Sequence, residues 1–448
     1  MFLPLAFISL LGRTLEVEQL AAWLIAFQYM RALQQVDFGI TGVSVRTLSP
    51  FMNCDFTVDG SAKPYIKRII LLLAIFGLVS SSICTFLFIN NEALSTVLLY
   101  AIFHLMLTYV LKTTPIFFSS LNKYYVTDSI MLAKGICTFL VILLIKPFTW
   151  IGVFYYYFGT ILIIDCALII ILLKNVRFTP AKNVSTEYNK DLLWKAFRVS
   201  SLITLSVLIQ KLVLTNLQAN HLSAGAVVAV AIPLLIYNSI SNFANMPARW
   251  ANSIYAKLGE EGHRLTGEKK ATILIDLSFM LIALTAFLFM VVSDFILPKW
   301  LPNLPDEQIR IILYVCFVLI VALPFKVGAN LYRNLLQARV RFRLIWIAEV
   351  ICNVVPFIPF FLGVKVTPET ISLSILISQA FRLISMYTLL KVNFRFYSGF
   401  RIIFRFISLH AVLLFNYFYQ YETIIVLEFC VVLLIFMFYI TKNRNTVF

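Results

Sequence analysis

Four cations and two acids stand inside stretches of otherwise apolar sequence: Arg31, Lys134, Lys211 and Arg382, with Asp165 and Glu349. A charge at the centre of a membrane helix costs about 2.5–3.5 kcal/mol on the insertion scale, so each needs a partner, water or a task. Arginine offers a planar fork to phosphate oxygens, and lysine a point charge. Polar stripes accompany two of the cations. Gln28, Arg31 and Gln35 recur at steps of three and four, which places them on one helix face. Thr204, Lys211, Thr215 and Gln218 form a second stripe, and Asn238, Asn242, Asn245 and Arg249 a third. Such stripes are unfavourable against lipid, so they face other helices or water. Two readings stand: hydrogen-bonding glue between helices, or a hydrated cationic cavity suited to a large polar anion. His104 can titrate near neutral pH, although a lone histidine in a helix is usually a packed one.

The elements that carry these residues are membrane helices. The chain has 448 residues, 61% apolar and 13% charged, where a soluble domain carries about 25% charged residues. Fourteen apolar runs are legible, near 1–11, 19–41, 69–89, 94–118, 128–146, 151–173, 199–218, 222–247, 271–293, 309–325, 344–362, 371–390, 402–419 and 423–440. The first is too short to cross a bilayer, which suggests a truncated first helix and a true start upstream of Met1. The expected class is an all-α polytopic membrane protein of about 12–14 transmembrane helices.

The net charge of +16 has a topological cause. Of the 37 Lys and Arg, 28 fall in alternate loops taken as cytoplasmic, including Lys326 and Arg333. Only Arg13, Lys146, Lys299, Arg310 and Lys365 fall in the others. This positive-inside split sets the C-terminus in the cytoplasm and removes the need for a nucleic-acid partner. Trp23, Trp150, Trp194, Trp250, Trp300 and Trp346 fall at run ends, as an aromatic belt would. The seven cysteines include no CxxC pair and read as small buried apolar residues, with neither a metal site nor a disulfide framework. No GxxxxGK[ST], HExxH or GxSxG motif occurs, and the loops taken as outside are short, so the chain reads as neither an ATPase nor an enzyme, with no cofactor.

An internal repeat organises the charges. At an offset of 215, Leu121, Ala133, Ile136 and Cys137 meet Leu336, Ala348, Ile351 and Cys352. At 217, Leu172-Leu173-Lys174 meets Leu389-Leu390-Lys391. The copies lie six spans apart, so they run parallel, as in transporters built from two pseudo-symmetric lobes around a central cavity. The expected divisions are 1–175, an inter-lobe linker at 176–198, a second lobe at 199–395 and two further helices at 396–448. Under the repeat Lys134 aligns with Glu349 and Asp165 with Arg382, each with reversed sign. Lys134–Asp165 and Glu349–Arg382 are therefore candidate pairs within each lobe, as structural salt bridges or as coupling groups.

Leu11-Gly12, the run Glu18-Gln19-Leu20-Ala21-Ala22-Trp23 and the segment Asp37-Phe38-Gly39-Ile40-Thr41-Gly42 through Arg46 resemble a family pattern. So do Met246-Pro247 and Leu335-Leu336-Gln337-Ala338. The chain resembles the Wzx-type O-antigen flippases of the multidrug/oligosaccharidyl-lipid/polysaccharide (MOP) superfamily, departing from the pattern where Ala22 replaces a loop glycine. The resemblance implies flipping of an undecaprenyl-pyrophosphate-linked O-antigen or capsule repeat unit across the bacterial inner membrane by alternating access. It implies a cavity lined by spans 1, 2, 7 and 8, three of which carry the stripes. Arg31 and Lys211 would attract pyrophosphate, and Gln28, Gln35, Asn238, Asn242, Asn245 and Arg249 would complete the substrate site. Implied partners are the lipid-linked substrate, membrane lipid, a glycan polymerase and a chain-length regulator. A drug or small-solute antiporter of the superfamily, and a membrane-embedded glycan polymerase or ligase, are the competing readings.

Overall fold

The computed structural model describes residues 2–34, 57–89, 91–120, 124–147, 149–180, 187–244, 297–338 and 342–394, with single positions between them. These residues are overwhelmingly helical. Helix α1 is Phe2–Thr14 and α2 Val17–Gln34. A short strand β1, Thr57–Asp59, precedes α3 (Lys63–Ile89). Then come α4 (Glu92–Ser95), α5 (Leu98–Leu111), α6 (Thr113–Ser120), α7 (Tyr124–Ile145) and α8 (Trp150–Asn175). Strand β2, Arg177–Thr179, leads to α9 (Glu187–His221) and α10 (Ala224–Ala244). The last described elements are α11 (Asp306–Ala338), α12 (Phe342–Val354), α13 (Ile358–Phe361) and α14 (Pro368–Phe394).

Six of the described helical segments are long and apolar enough to cross a membrane. The chain is a multi-pass membrane protein. The first eight expected runs and the tenth to twelfth fall wholly or in part on described helix, and the ninth on isolated helical positions. The runs at 402–419 and 423–440 lie outside the described residues. The expected fourth span divides at Lys112. Pro115 has no N–H for the Leu111 carbonyl, so the regular ladder breaks one turn before it. Large apolar side chains point outward from the long helices, among them Leu71, Phe86, Ile163 and Ile384. In water such a surface would be an aggregation hazard; against acyl chains it is the expected solvent-facing side.

The chain forms two compact units, Leu10–Ala224 and Met1–Ser9 with Gly225–Phe448. In the first, α2 is central and buries ten residues. Trp23 stacks on Phe27 with ring centroids 4.8 Å apart, and Phe27 meets Tyr157 of α8 edge-on at 5.3 Å. Tyr109 lashes three helices: Ser80 of α3 donates to its hydroxyl at 2.8 Å, which donates to the Leu33 carbonyl at 2.5 Å. Gly77 permits this approach, because a Cβ there would lie 3.3 Å from that of Tyr109. Below these helices β1 pairs in parallel with β2, Thr57 opposite Arg177 and Asp59 opposite Thr179. In the second unit α11 packs on α14, which also receives α12.

Several expectations change. Trp23 and Trp150 are buried against neighbouring rings, Trp23 beside Phe27 and Tyr157 and Trp150 beside Phe154. Cys137 is exposed, on a face of α7 it shares with exposed Ile136 and Leu140, while Cys84, Cys316 and Cys352 are buried. Helix α9 begins at Glu187, inside the segment read as a linker, and its later turns pack on α2 in the first unit. Lys326 and Arg333, read as loop residues, lie within α11. The helix runs thirteen residues past the apolar stretch that ends at 325, so its polar end resembled a loop.

Candidate functional site

Two clusters of membrane charge are built in the first unit. The first is the face where α2 meets α9. Gln28 donates from Nε2 to Gln218 Oε1 at 3.1 Å, and Thr215 donates to Gln28 Oε1 at 3.4 Å. One turn along, Arg31 lies exposed, its guanidinium 5.1 Å from the centroid of the Phe27 ring. Lys211, one turn from Thr215, is within electrostatic range of Arg31. Neither helix carries an acid within three turns of these cations: the acids on α2 and α9 are Glu18, Glu187 and Asp191. The two stripes therefore belong to one interface, with amide glue at one level and Arg31 and Lys211 each one turn from it.

The second cluster is an ion pair, Lys134 of α7 with Asp165 of α8. Both side chains are largely shielded, and Thr138 caps the Lys134 carbonyl at 2.7 Å. His104 stands near this lysine. Its Nε2 lies 2.7 Å from Gln34 Nε2 and 3.2 Å from Thr108 Oγ1, and its ring packs edge-on against Phe158 at 4.9 Å. Lys112 donates to the Gln34 carbonyl across the α5–α6 break. The histidine is thus a packed, hydrogen-bonded residue.

In the second unit Glu349 of α12 is fully buried. Arg382 of α14 donates to its Oε1 from Nε at 3.0 Å and from Nη2 at 2.6 Å. Arg333 of α11 brings Nη1 to 3.6 Å from the same oxygen. The expected pair is therefore part of a triad. Sequence reading missed Arg333 because the apolar run had ended. A signal was present: Lys326, Asn330, Arg333 and Gln337 follow steps of four, three and four, one face of a continued helix.

The third stripe is only partly visible. Asn238 of α10 accepts from Lys326 Nζ at 2.9 Å, and that ammonium lies 4.2 Å from the centroid of the Tyr237 ring. Asn242 lies in the last turn of α10. Gln35, Asp37, Asn245 and Arg249 lie outside the described residues. Among the described residues no cluster of His, Cys, Asp and Glu could hold a metal ion.

The arrangement of helices decides the fold class. Over 100% of this chain and 98% of the other, it is similar to a structure described as lipid II flippase MurJ in an inward closed conformation, with a TM-score of 0.66 at 13% identity. The fold is that of the MOP-superfamily transporters. An inward-facing multidrug resistance MATE family transporter of the MOP superfamily covers 90% of the chain and 95% of its own length, with a TM-score of 0.65 at 12% identity. A MOP superfamily transporter from Pyrococcus furiosus, described as having a binding pocket of reverse polarity, matches over 88% and 95% at a TM-score of 0.58 and 13% identity. No family model and no curated protein sequence matches the chain.

Proposed function

We propose that this protein flips an undecaprenyl-pyrophosphate-linked oligosaccharide repeat unit, of the O-antigen or capsule kind, from the cytoplasmic to the periplasmic leaflet by alternating access. The observation that carries the reading is the Arg31–Lys211 pair of cations on α2 and α9. A helix face that presents two cations among amide and hydroxyl side chains, with no acid within three turns on either helix, suits a polar anion. A pyrophosphate with its sugars meets both needs: charge for the cations and hydroxyls for Gln28, Gln35, Asn238, Asn242 and Asn245. Arg249 would extend the basic face toward the cytoplasm. The polyprenyl tail stays in lipid. On this reading two helical lobes, divided near the expected 176–198 linker, enclose the cavity, and the protein is no enzyme. It sits in the bacterial inner membrane with its C-terminus in the cytoplasm. A glycan polymerase and a chain-length regulator act on its product.

The MATE likeness, nearly equal in TM-score, favours a second reading as a drug or small-solute antiporter. A cationic drug would meet repulsion at Arg31 and Lys211, which weighs against that substrate class. The deciding experiment deletes the gene and labels lipid-linked sugars in intact and opened spheroplasts. Repeat units held in the cytoplasmic leaflet, with surface polymer lost, are the expected result. Units already in the outer leaflet would overturn it in favour of polymerisation or ligation. An unchanged glycan with altered drug tolerance would establish the antiporter.

A further inference from the structure

Two distant segments of the first unit are clasped at one membrane boundary. Strand β1 leads through Gly60–Ala62 into α3, and β2 follows α8 after Val176. The membrane-crossing segments that hold these helices are Gly60–Ile89 and Trp150–Asn175. The first starts beside the β1–β2 pair and the second ends beside it, so the clasp lies at headgroup level. Val58, Ala62 and Leu172 belong to the buried cluster under it, which seats the clasp on the helices.

What the clasp presents outward is basic. Lys63, Lys67 and Arg68 of α3, Lys174 of α8 and Arg177 of β2 are all exposed. In the stretches 57–70 and 170–180 these cations meet a single acid, Asp59. Its carboxylate already accepts from Ser61 N at 2.9 Å and from Ser61 Oγ at 2.6 Å. Among the described residues, none of these cations forms an ion pair with an acid. An aromatic ring stands among them: Phe178 of β2 is 46% exposed, and Lys63 Nζ lies 5.0 Å from its centroid. Basic loop ends are expected from topology alone. A strand pairing that gathers the ends of two membrane helices around one exposed ring is not.

We infer that this clasp binds the headgroup of an anionic bilayer phospholipid such as phosphatidylglycerol, with Phe178 lodged beside its glycerol and first acyl carbons. Clusters of Lys and Arg next to a membrane helix attract anionic lipid, and an aromatic side chain at that level has an apolar body to insert. Lys67 and Arg68 lie about 6–8 Å along α3 from Lys63 at 1.5 Å per residue, a depth from which their stems reach back to phosphate. An acidic protein segment would match the charge alone; the level of the clasp and its exposed ring favour lipid. The inference does not depend on what the protein transports.

The test titrates the full-length protein, delipidated in neutral detergent, with phosphatidylglycerol or with phosphatidylcholine of the same chains, and counts bound lipid by native mass spectrometry. Wild type should bind its first phosphatidylglycerol more tightly than phosphatidylcholine. Each cation near an anionic lipid surface is worth about fivefold in affinity. The double variants Lys63→Gln/Lys67→Gln and Lys174→Gln/Arg177→Gln should each weaken phosphatidylglycerol about tenfold or more and leave phosphatidylcholine unchanged. Lys146→Gln, beyond the opposite end of α8, should change neither. Phe178→Ser should weaken both lipids, and Phe178→Trp should bind them as wild type does. All these clasp side chains are exposed, so thermal unfolding should stay at the wild-type value. Equal affinity of wild type for the two lipids would overturn the proposal and leave the surface to an acidic protein. A loss confined to one double variant would also overturn it, because the clasp would then not be a shared site. So would an equal loss in Lys146→Gln.

Discussion

Lys134–Asp165 in the first unit and Arg333–Glu349–Arg382 in the second solve the burial of charge differently. The first pairs single charges from adjacent helices, α7 and α8. The second inverts the signs and draws in a third helix, so that α11, α12 and α14 meet at one carboxylate oxygen. The contrast teaches that a buried charge among these helices is answered by an opposite one, whichever sign comes first in the chain. It also separates a one-to-one pair from a cluster of one carboxylate and two guanidinium groups. Asn353, one turn from Glu349, stands beside the carboxylate and completes the asymmetry.

The largest expected effect breaks the triad. Glu349→Ala leaves two buried guanidinium groups with no carboxylate between them, and removing one partner of a buried pair costs about 3–5 kcal/mol. Folded yield after detergent extraction should collapse, as read by size-exclusion profile and thermal unfolding. A variant that unfolds like wild type would mean the arginines find other partners and that the triad holds nothing together.

The next effect tests whether the first unit's pair is only a strut. Lys134→Asp and Asp165→Lys should each lower thermal stability and surface glycan, and the double reversal should restore most of both. Restored stability with lost transport would instead make one of the two a coupling group whose sign matters to the cycle.

Arg31→Ala comes third. It leaves the α2–α9 contacts at Gln28, Thr215 and Gln218 in place and removes one charge-assisted contact to substrate. Translocation should fall about tenfold or more at normal expression, following the cost of such a contact. Surface glycan equal to wild type would remove Arg31 from the mechanism and return the face to simple packing.

What the sequence disclosed follows from cost. Apolar runs are legible because only about 20 apolar residues cross a bilayer as a helix, and intramembrane charges are legible because each must be answered. That is why the repeat could name Asp165 for Lys134 and Arg382 for Glu349. The misses lie where cost was hidden. Hydropathy reports where lipid ends and not where a helix ends, so Arg333 was assigned to a loop although α11 continues to Ala338. Burial between protein helices looks the same in sequence as contact with lipid, so Cys137 read as buried although it is exposed. Gln34, which meets His104, stands three residues from Arg31 and Gln35 four, so helix periodicity alone cannot choose between the two glutamines.

The smallest effect decides how the α2–α9 face divides its labour. Gln28 is bonded to Gln218 and Thr215, so the described structure gives it a helix-joining role, while Arg31 one turn away stays exposed. Hydrogen bonds between membrane helices average about 0.6 kcal/mol and reach about 1.7 at most. Gln28→Ala should therefore lower the unfolding temperature by only a few degrees. If Gln28 is glue alone, Gln218→Ala should have the same effect, the double variant should add nothing further, and transport should follow stability in all three. If Gln28 also bonds sugar hydroxyls, Gln28→Ala should reduce transport more than Gln218→Ala at equal stability. A substrate-bound conformation would then have to break the 3.1 Å amide contact, and the face would exchange an internal hydrogen bond for one to its cargo.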